Sequence, residues 1–212
     1  MSRVSLFDLE YVIFDFETTG LDPNKGDDIL EMGAVHLKGS TPTGEVFETL
    51  VNIGRKIPEE VKAIHGITDK EIQGKPTIDE AFPKFINFIG NKILIAHNAE
   101  FDLGFIRKYL KRFPSVLFNN ICIDTRQLSK LLFSYEKSHS LNSIINRLDI
   151  AQDVNRHRSL GDCLLTAKVF SHFLDTLKRR KSATFHHIKS CVLMPPKIRS
   201  VVNSTQSQPT LF

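Results

Sequence analysis

The feature that most constrains this chain is a set of acids placed where packing calls for apolar residues. Residues 11–16 read Tyr-Val-Ile-Phe-Asp-Phe, an aromatic and branched run with the character of a central strand, and Glu17-Thr18-Thr19-Gly20 follows. Asp15 and Glu17 are two apart, so in a strand both point to one face, at the carboxyl end where open sheets bind ligands. An edge acid facing water is the plainer alternative; the flanking Val12, Ile13, Phe14 and Phe16 favour a strand covered on both sides. Asp102 sits near the start of a helix predicted from about Glu100 to Phe113 and shares a face with Phe105, Ile106, Tyr109 and Phe113. Asp162 repeats the arrangement with Leu165, Val169 and Phe173, in a helix predicted from about Ser159 to Arg180. Either acid could instead complement its helix dipole, and Ser159 with Asp162 could form a capping box.

Four ionised carboxylates on core-facing sides would be prohibitive unless something neutralised them. The set is all oxygen, with histidine only nearby, which suits two hard ions, Mg²⁺ or Mn²⁺, and disfavours zinc. Two such ions clamp the attacking and leaving oxygens of a phosphoryl displacement, so the pattern points to phosphodiester hydrolysis. His157 lies five residues before Asp162, an offset that does not share a helix face, and falls on the entering loop. A neutral imidazole there could take a proton from water at physiological pH.

The 212 residues allow one domain with a sizeable core, or a domain plus a tail. At 41% hydrophobic and 25% charged, the composition is that of a globular chain rather than a disordered or membrane one. No apolar run approaches bilayer-spanning length, and Met1 to Glu10 does not read as a secretory signal, so a cytoplasmic address without membrane contact is expected. Cys122, Cys163 and Cys191 are odd in number and dispersed, which predicts reduced thiols rather than a disulfide framework or zinc site. Residues 181–212 carry Lys181, Lys189, Lys197 and Arg199 and no acid, so the +4 net charge resides there and the first 180 residues are formally neutral. Attraction to nucleic acid in that part must come from clusters such as Arg107-Lys108 with Lys111-Arg112, or from bound metal.

Strands are predicted at 11–16, 29–37, 46–51, 93–97 and 121–124, the first three as an antiparallel meander with a turn over Lys38 to Gly44. Helices are predicted from Pro58, from Thr77 to about Ile89, and over 125–133 and 140–148, besides those bearing Asp102 and Asp162. The result is an α/β domain over 1–180, a mixed five-stranded sheet flanked by helices, followed over 181–212 by a basic, partly disordered tail.

Three motifs resemble those of the DEDDh 3′→5′ exonucleases: FDFETTG over Phe14 to Gly20, HNAEFD over His97 to Asp102, and HRSLGD over His157 to Asp162. Order and separation also match, over roughly residues 9–178, and IPEEVKAIHGITD, Ile57 to Asp69, is similar to the bacterial proofreading branch, the epsilon subunit of DNA polymerase III. The resemblance implies a ribonuclease H-like fold and release of nucleoside 5′-monophosphates from single-stranded or frayed 3′ ends of DNA. It implies that Asp15, Glu17 and Asp162 hold one ion, that Asp15 bridges to the second, that Asp102 supports the pair largely through water, and that His157 is the general base. Thr18, Thr19 and Leu21 would meet the terminal nucleotide, Glu60 and His65 would line its pocket, and Asn98 and Phe101 would lie along the strand.

Gln208-Pro209-Thr210-Leu211-Phe212 resembles the bacterial sliding-clamp-binding pentapeptide, with Gln208, Leu211 and Phe212 as anchors presented from a polar segment. In the epsilon subunit, sequence beyond that motif attaches the exonuclease to the polymerase alpha subunit. Phe212 is the last residue here, so that attachment stays open. Two other functions also stay open: a stand-alone DNA repair or RNA-trimming exonuclease, and a non-catalytic nucleic-acid-binding module of the same fold.

Overall fold

The computed structural model describes residues 4–152, 154 and 157–195. The apolar run around Phe14 forms β1 (Glu10–Thr18), and its alternation decides the layers. Tyr11 and Ile13 face a core built with Leu165, Val169, Phe170 and Phe173, whereas Val12, Phe14 and Phe16 face a second core with Phe82, Phe85, Phe105 and Ile106. Both faces are covered, as the predicted central strand requires.

β1 pairs antiparallel with β2 (Ile29–Lys38), which pairs antiparallel with β3 (Thr41–Leu50). On its other side β1 pairs parallel with β4 (Ile93–Ala96), and β4 with β5 (Cys122–Asp124). β3 starts five residues earlier than predicted, because the turn is only Gly39-Ser40, with Gly39 at a φ of +59°. Pro42 is tolerated there because β3 is the sheet's edge.

The helices follow the sequence closely: α1 (Glu59–His65), α2 (Asp69–Ile72), α3 (Ile78–Ile89), α4 (Glu100–Leu110), α5 (Thr125–Leu132), α6 (Leu141–Arg147) and α7 (Ser159–Arg179). α2 was not expected; a capping box of Thr68 and Glu71 starts it. Thr77 and Glu80 do the same for α3.

The predicted strand count needs correction, because regular structure continues past residue 180. Residues Phe185–Cys191 form a 3₁₀ helix that buries Ile188 and Cys191, and β6 (Val192–Leu193) then pairs antiparallel with β5. The sheet thus has six strands, in the order β3-β2-β1-β4-β5-β6. A two-residue strand in a basic segment leaves no period for a sequence to display. The three cysteines are buried and unpaired. No helix among the described residues is long and apolar enough to cross a membrane. The clamp-motif residues Gln208, Leu211 and Phe212 lie outside the described residues.

Candidate active site

α7 lies on the Tyr11–Ile13 face, so that face at the carboxyl end of β1 also carries Asp15 and Glu17. Asp162, in the first turn of α7, is brought to them: one carboxylate oxygen from each of Asp15, Glu17 and Asp162 lies within 4.8 Å of the others. Asp15 and Glu17 are half-buried and Asp162 is buried. Three carboxylates at this spacing repel one another, and an all-oxygen set of this kind fits a hard divalent cation. A register shift between Glu17 and Thr18 ends the regular β1–β2 ladder at this point, a common device beside functional sites.

Asp102 stands apart from this trio. It is 2% exposed, and its Oδ1 accepts the Phe16 amide at 3.1 Å. Burial pushes its carboxyl well above the ordinary range; the Phe16 and Asp102 amides oppose this, and the nearby Glu17 and Asp124 charges add to it. The structure therefore gathers three of the four expected acids and tethers the fourth to the backbone of the strand that carries two of them.

His157 is exposed, on the loop ahead of α7, in the left-handed region at a φ of +58°. The alternative capping box of Ser159 with Asp162 does not form: Arg158 is the N-cap residue, and the Ser159 amide donates to Glu31 Oε2 at 2.8 Å.

The expected substrate residues fall into two groups. Leu21 is 85% exposed, Glu60 is exposed on α1, and Asn98 is exposed at a φ of +65° just before α4. Thr19 is buried and its hydroxyl is consumed internally, donating to Asp27 Oδ1 at 3.3 Å and accepting from the Asp28 amide and the Arg55 guanidinium. What Thr19 can offer a ligand is the shape of the turn, not its side chain. Thr18 donates to the Gly20 carbonyl at 2.7 Å. Phe101 packs edge-on against Phe105, with ring centroids 5.4 Å apart, at the margin of the core. His65 is buried; its Nδ1 accepts the Ile67 amide at 3.0 Å, which leaves the proton on Nε2, an atom without a hydrogen-bond partner. Burial holds the His65 imidazole below its usual pKa, with Arg158 assisting and Glu31 and Glu71 opposing.

Several residues that shape the site were not singled out from sequence. Gly33 sits under the start of α7, where a Cβ would lie 2.5 Å from the Ser159 carbonyl carbon and 2.6 Å from the Leu160 nitrogen. Asp124 caps α5 through the Arg126 and Gln127 amides and also accepts the Asn98 amide at 3.2 Å, so it holds the turn into α4. Thr125 Oγ1 meets His97 Nδ1 at 3.0 Å, and Arg126 donates to Asn98 Oδ1 at 3.0 Å. An acid closing an apolar strand, the signal used for Asp15, was present at Asp124 as well.

Comparison with known proteins gives this chain a family. The RNase_T family, whose members are exonucleases, matches residues 12–170. A DNA polymerase III subunit epsilon-like protein of Rhodobacter capsulatus is 41% identical over 187 residues, covering 87% of this chain but only 26% of the relative, so the chain spans about a quarter of that protein. DNA polymerase III subunit epsilon of Aquifex aeolicus is 37% identical over 175 residues, 82% of this chain and 85% of the relative. Among solved structures, exonuclease X in complex with 5′ overhanging duplex DNA aligns with a TM-score of 0.65 at 24% identity, over 84% of this chain and 98% of that one. The mixed sheet flanked by helices is the ribonuclease H-like fold of such exonucleases.

Proposed function

Because this chain belongs to the RNase_T exonuclease family, we propose that it is a metal-dependent 3′→5′ exonuclease that trims DNA 3′ ends to nucleoside 5′-monophosphates, in the service of replication proofreading. The observation that carries this is the convergence of Asp15, Glu17 and Asp162 from a strand end and a helix start separated by some 145 residues. Three carboxylates gathered this closely repel one another, and divalent cations would neutralise them. The similarity to polymerase III epsilon proteins supports DNA as the substrate and the polymerase as a partner.

Asp15, Glu17 and Asp162 would hold Mg²⁺ or Mn²⁺, two ions in all, with Asp15 shared between them and Asp102 supporting the site from behind β1. When bound, such ions supply electrostatic stabilisation of the phosphoryl displacement. The chain's own residues do the rest. His157 takes the proton of the attacking water on an imidazole nitrogen, and its exposed loop lets it reach the solvent side. Leu21 presents an apolar surface to the terminal base, and Asn98 and Phe101 lie beside the strand leading to it. Glu60 and the neutral His65 line the nucleotide pocket, the latter with Nε2–H as a donor. Residues 208–212 tether the enzyme to a bacterial sliding clamp.

Asp15→Ala should abolish mononucleotide release from a 3′-labelled single-stranded oligomer in Mg²⁺ while thermal unfolding stays cooperative; release at the native rate would end the proposal. Running matched DNA and RNA oligomers, and paired against mismatched primer ends, decides the substrate. Removal of residues 208–212 should weaken clamp binding and leave short-oligomer hydrolysis unchanged.

A further inference from the structure

Glu31 lies among the apolar Ile29, Leu30 and Met32 of β2, and its side chain has no exposure at all. In the β1–β2 register it stands opposite Glu17, so a further carboxylate is buried beside the acidic trio. Such a charge persists only if fully paired. Arg158 supplies a fork: its Nε donates to Oε1 at 3.0 Å and Oε2 at 3.1 Å, and its Nη2 to Oε1 at 2.5 Å. The Ser159 amide adds a third donor at 2.8 Å. A planar guanidinium held this way cannot rotate without breaking several bonds at once.

Arg158 also occupies a pivotal place in the chain. Its carbonyl accepts the Asp162 amide at 3.0 Å, so it sets the first turn that carries a metal-binding carboxylate. Its neighbour on the other side is His157, in a left-handed conformation that an L residue keeps only when its surroundings over-determine it. Gly33, two residues along β2 from Glu31, allows the Ser159 backbone to come down onto the strand beside the pair. Buried ion pairs add little net stability compared with apolar packing, so stability alone gives no reason for this one.

We infer that the Glu31–Arg158 pair is a positioning device that locks the His157 loop onto β2 in register with Asp162, whose own place is kept by the packing of α7, so that the clamp fixes the base and leaves the metal-binding acids where they are. The inference rests on His157 acting as the base, and its test separates the two ideas. Arg158→Lys keeps the charge and loses the fork; it should lower kcat roughly 10- to 100-fold with KM unchanged, as expected when a reacting group is misplaced by about an ångström. In the His157→Ala background the same substitution should cost nothing further, because there is no base left to position. Ser159 amide exchange should accelerate in Arg158→Lys, and Mn²⁺ affinity by calorimetry should stay at the native value. The double variant Glu31→Gln with Arg158→Gln, which removes the buried charge altogether, should fold and show the same kcat loss. An equal loss in both His157 backgrounds, or a raised KM at native kcat, would overturn the positioning role while leaving the base in place. A native kcat in His157→Ala would remove the base and this inference with it.

Discussion

Two helices each bring an acid to the site in their first turn, and different chemistry holds them there. The start of α4 is held by hydrogen bonds with the backbone: the Asn98 amide donates to Asp124, and Asp102 accepts the Phe16 amide. The start of α7 is held by a buried ion pair and a glycine contact, Glu31 with Arg158 and Gly33 under Ser159. The consequence lies in the acids themselves. Asp102 is tied to β1 and pushed toward its neutral form by burial, so turning toward a cation would cost its hydrogen bond. Asp162 lies among the carboxylates of β1, where a cation relieves repulsion. Under the proposed function, similar positions in two helices would therefore give a metal ligand in one case and a support in the other.

The largest expected difference is in activity. Asp162→Asn should lower kcat by about three orders of magnitude or more, around 4 kcal/mol of transition-state stabilisation, because a direct metal ligand is weakened. Asp102→Asn keeps an oxygen for the Phe16 amide and should cost roughly 10- to 100-fold, the range seen when a group supporting a metal ligand is altered. Calorimetric Mn²⁺ titration should show weaker binding in the first variant and near-native binding in the second. Equal losses in both would erase the distinction between the helices.

Gly33→Ala tests the anchor of α7. The new methyl would meet backbone rather than a movable side chain, so the helix start must shift. About 2–3 kcal/mol of destabilisation is expected, with a fall in kcat as His157 and Asp162 move together. A native midpoint in denaturant and native kcat would show that the close approach is slack.

These contrasts explain what the sequence could and could not reveal. Asp15, Glu17, Asp102 and Asp162 were legible because each breaks an apolar period, and periodicity is local information. Glu31 breaks the period of β2 in the same way, yet its partner is 127 residues away, and pairing at that distance has no sequence signature. Thr19 was assigned to substrate because its motif resembles that of the DEDDh exonucleases; its burial and its bonds to Asp27, Asp28 and Arg55 depend on how the fold closes the turn. The central strand, the meander and the helices were readable from patterning and caps, whereas β6 was too short to carry any pattern.

Asp124→Ala probes the anchor of α4. It removes the cap of α5 and the acceptor for Asn98, so about 1–2 kcal/mol should be lost, the usual range for a capping acid. Asn98 should then leave its left-handed turn, raising KM for oligomers more than it lowers kcat. An unchanged KM would place Asn98 outside the substrate path.

The smallest effect concerns pH, and it belongs to the α7 side, because His65 is an electrostatic neighbour of Glu31 and Arg158. Burial keeps the folded-state His65 pKa below its usual value, so on acidification the unfolded chain takes up the proton first. The contribution to stability is complete above the ordinary histidine pKa of about 6.5 and declines as pH falls from there toward the lowered folded value. Protonation would also place a hydrogen on Nδ1, against the Ile67 amide that it now accepts. The thermal midpoint should therefore drop as pH falls below about 6.5, and His65→Asn, which cannot titrate, should lose part of that drop. The comparison is between slopes, since other groups titrate in both proteins. Parallel curves would mean that the folded protein accommodates the charged imidazole beside the Glu31 carboxylate, and that the α7 anchor is less sensitive to an added positive charge than its burial implies.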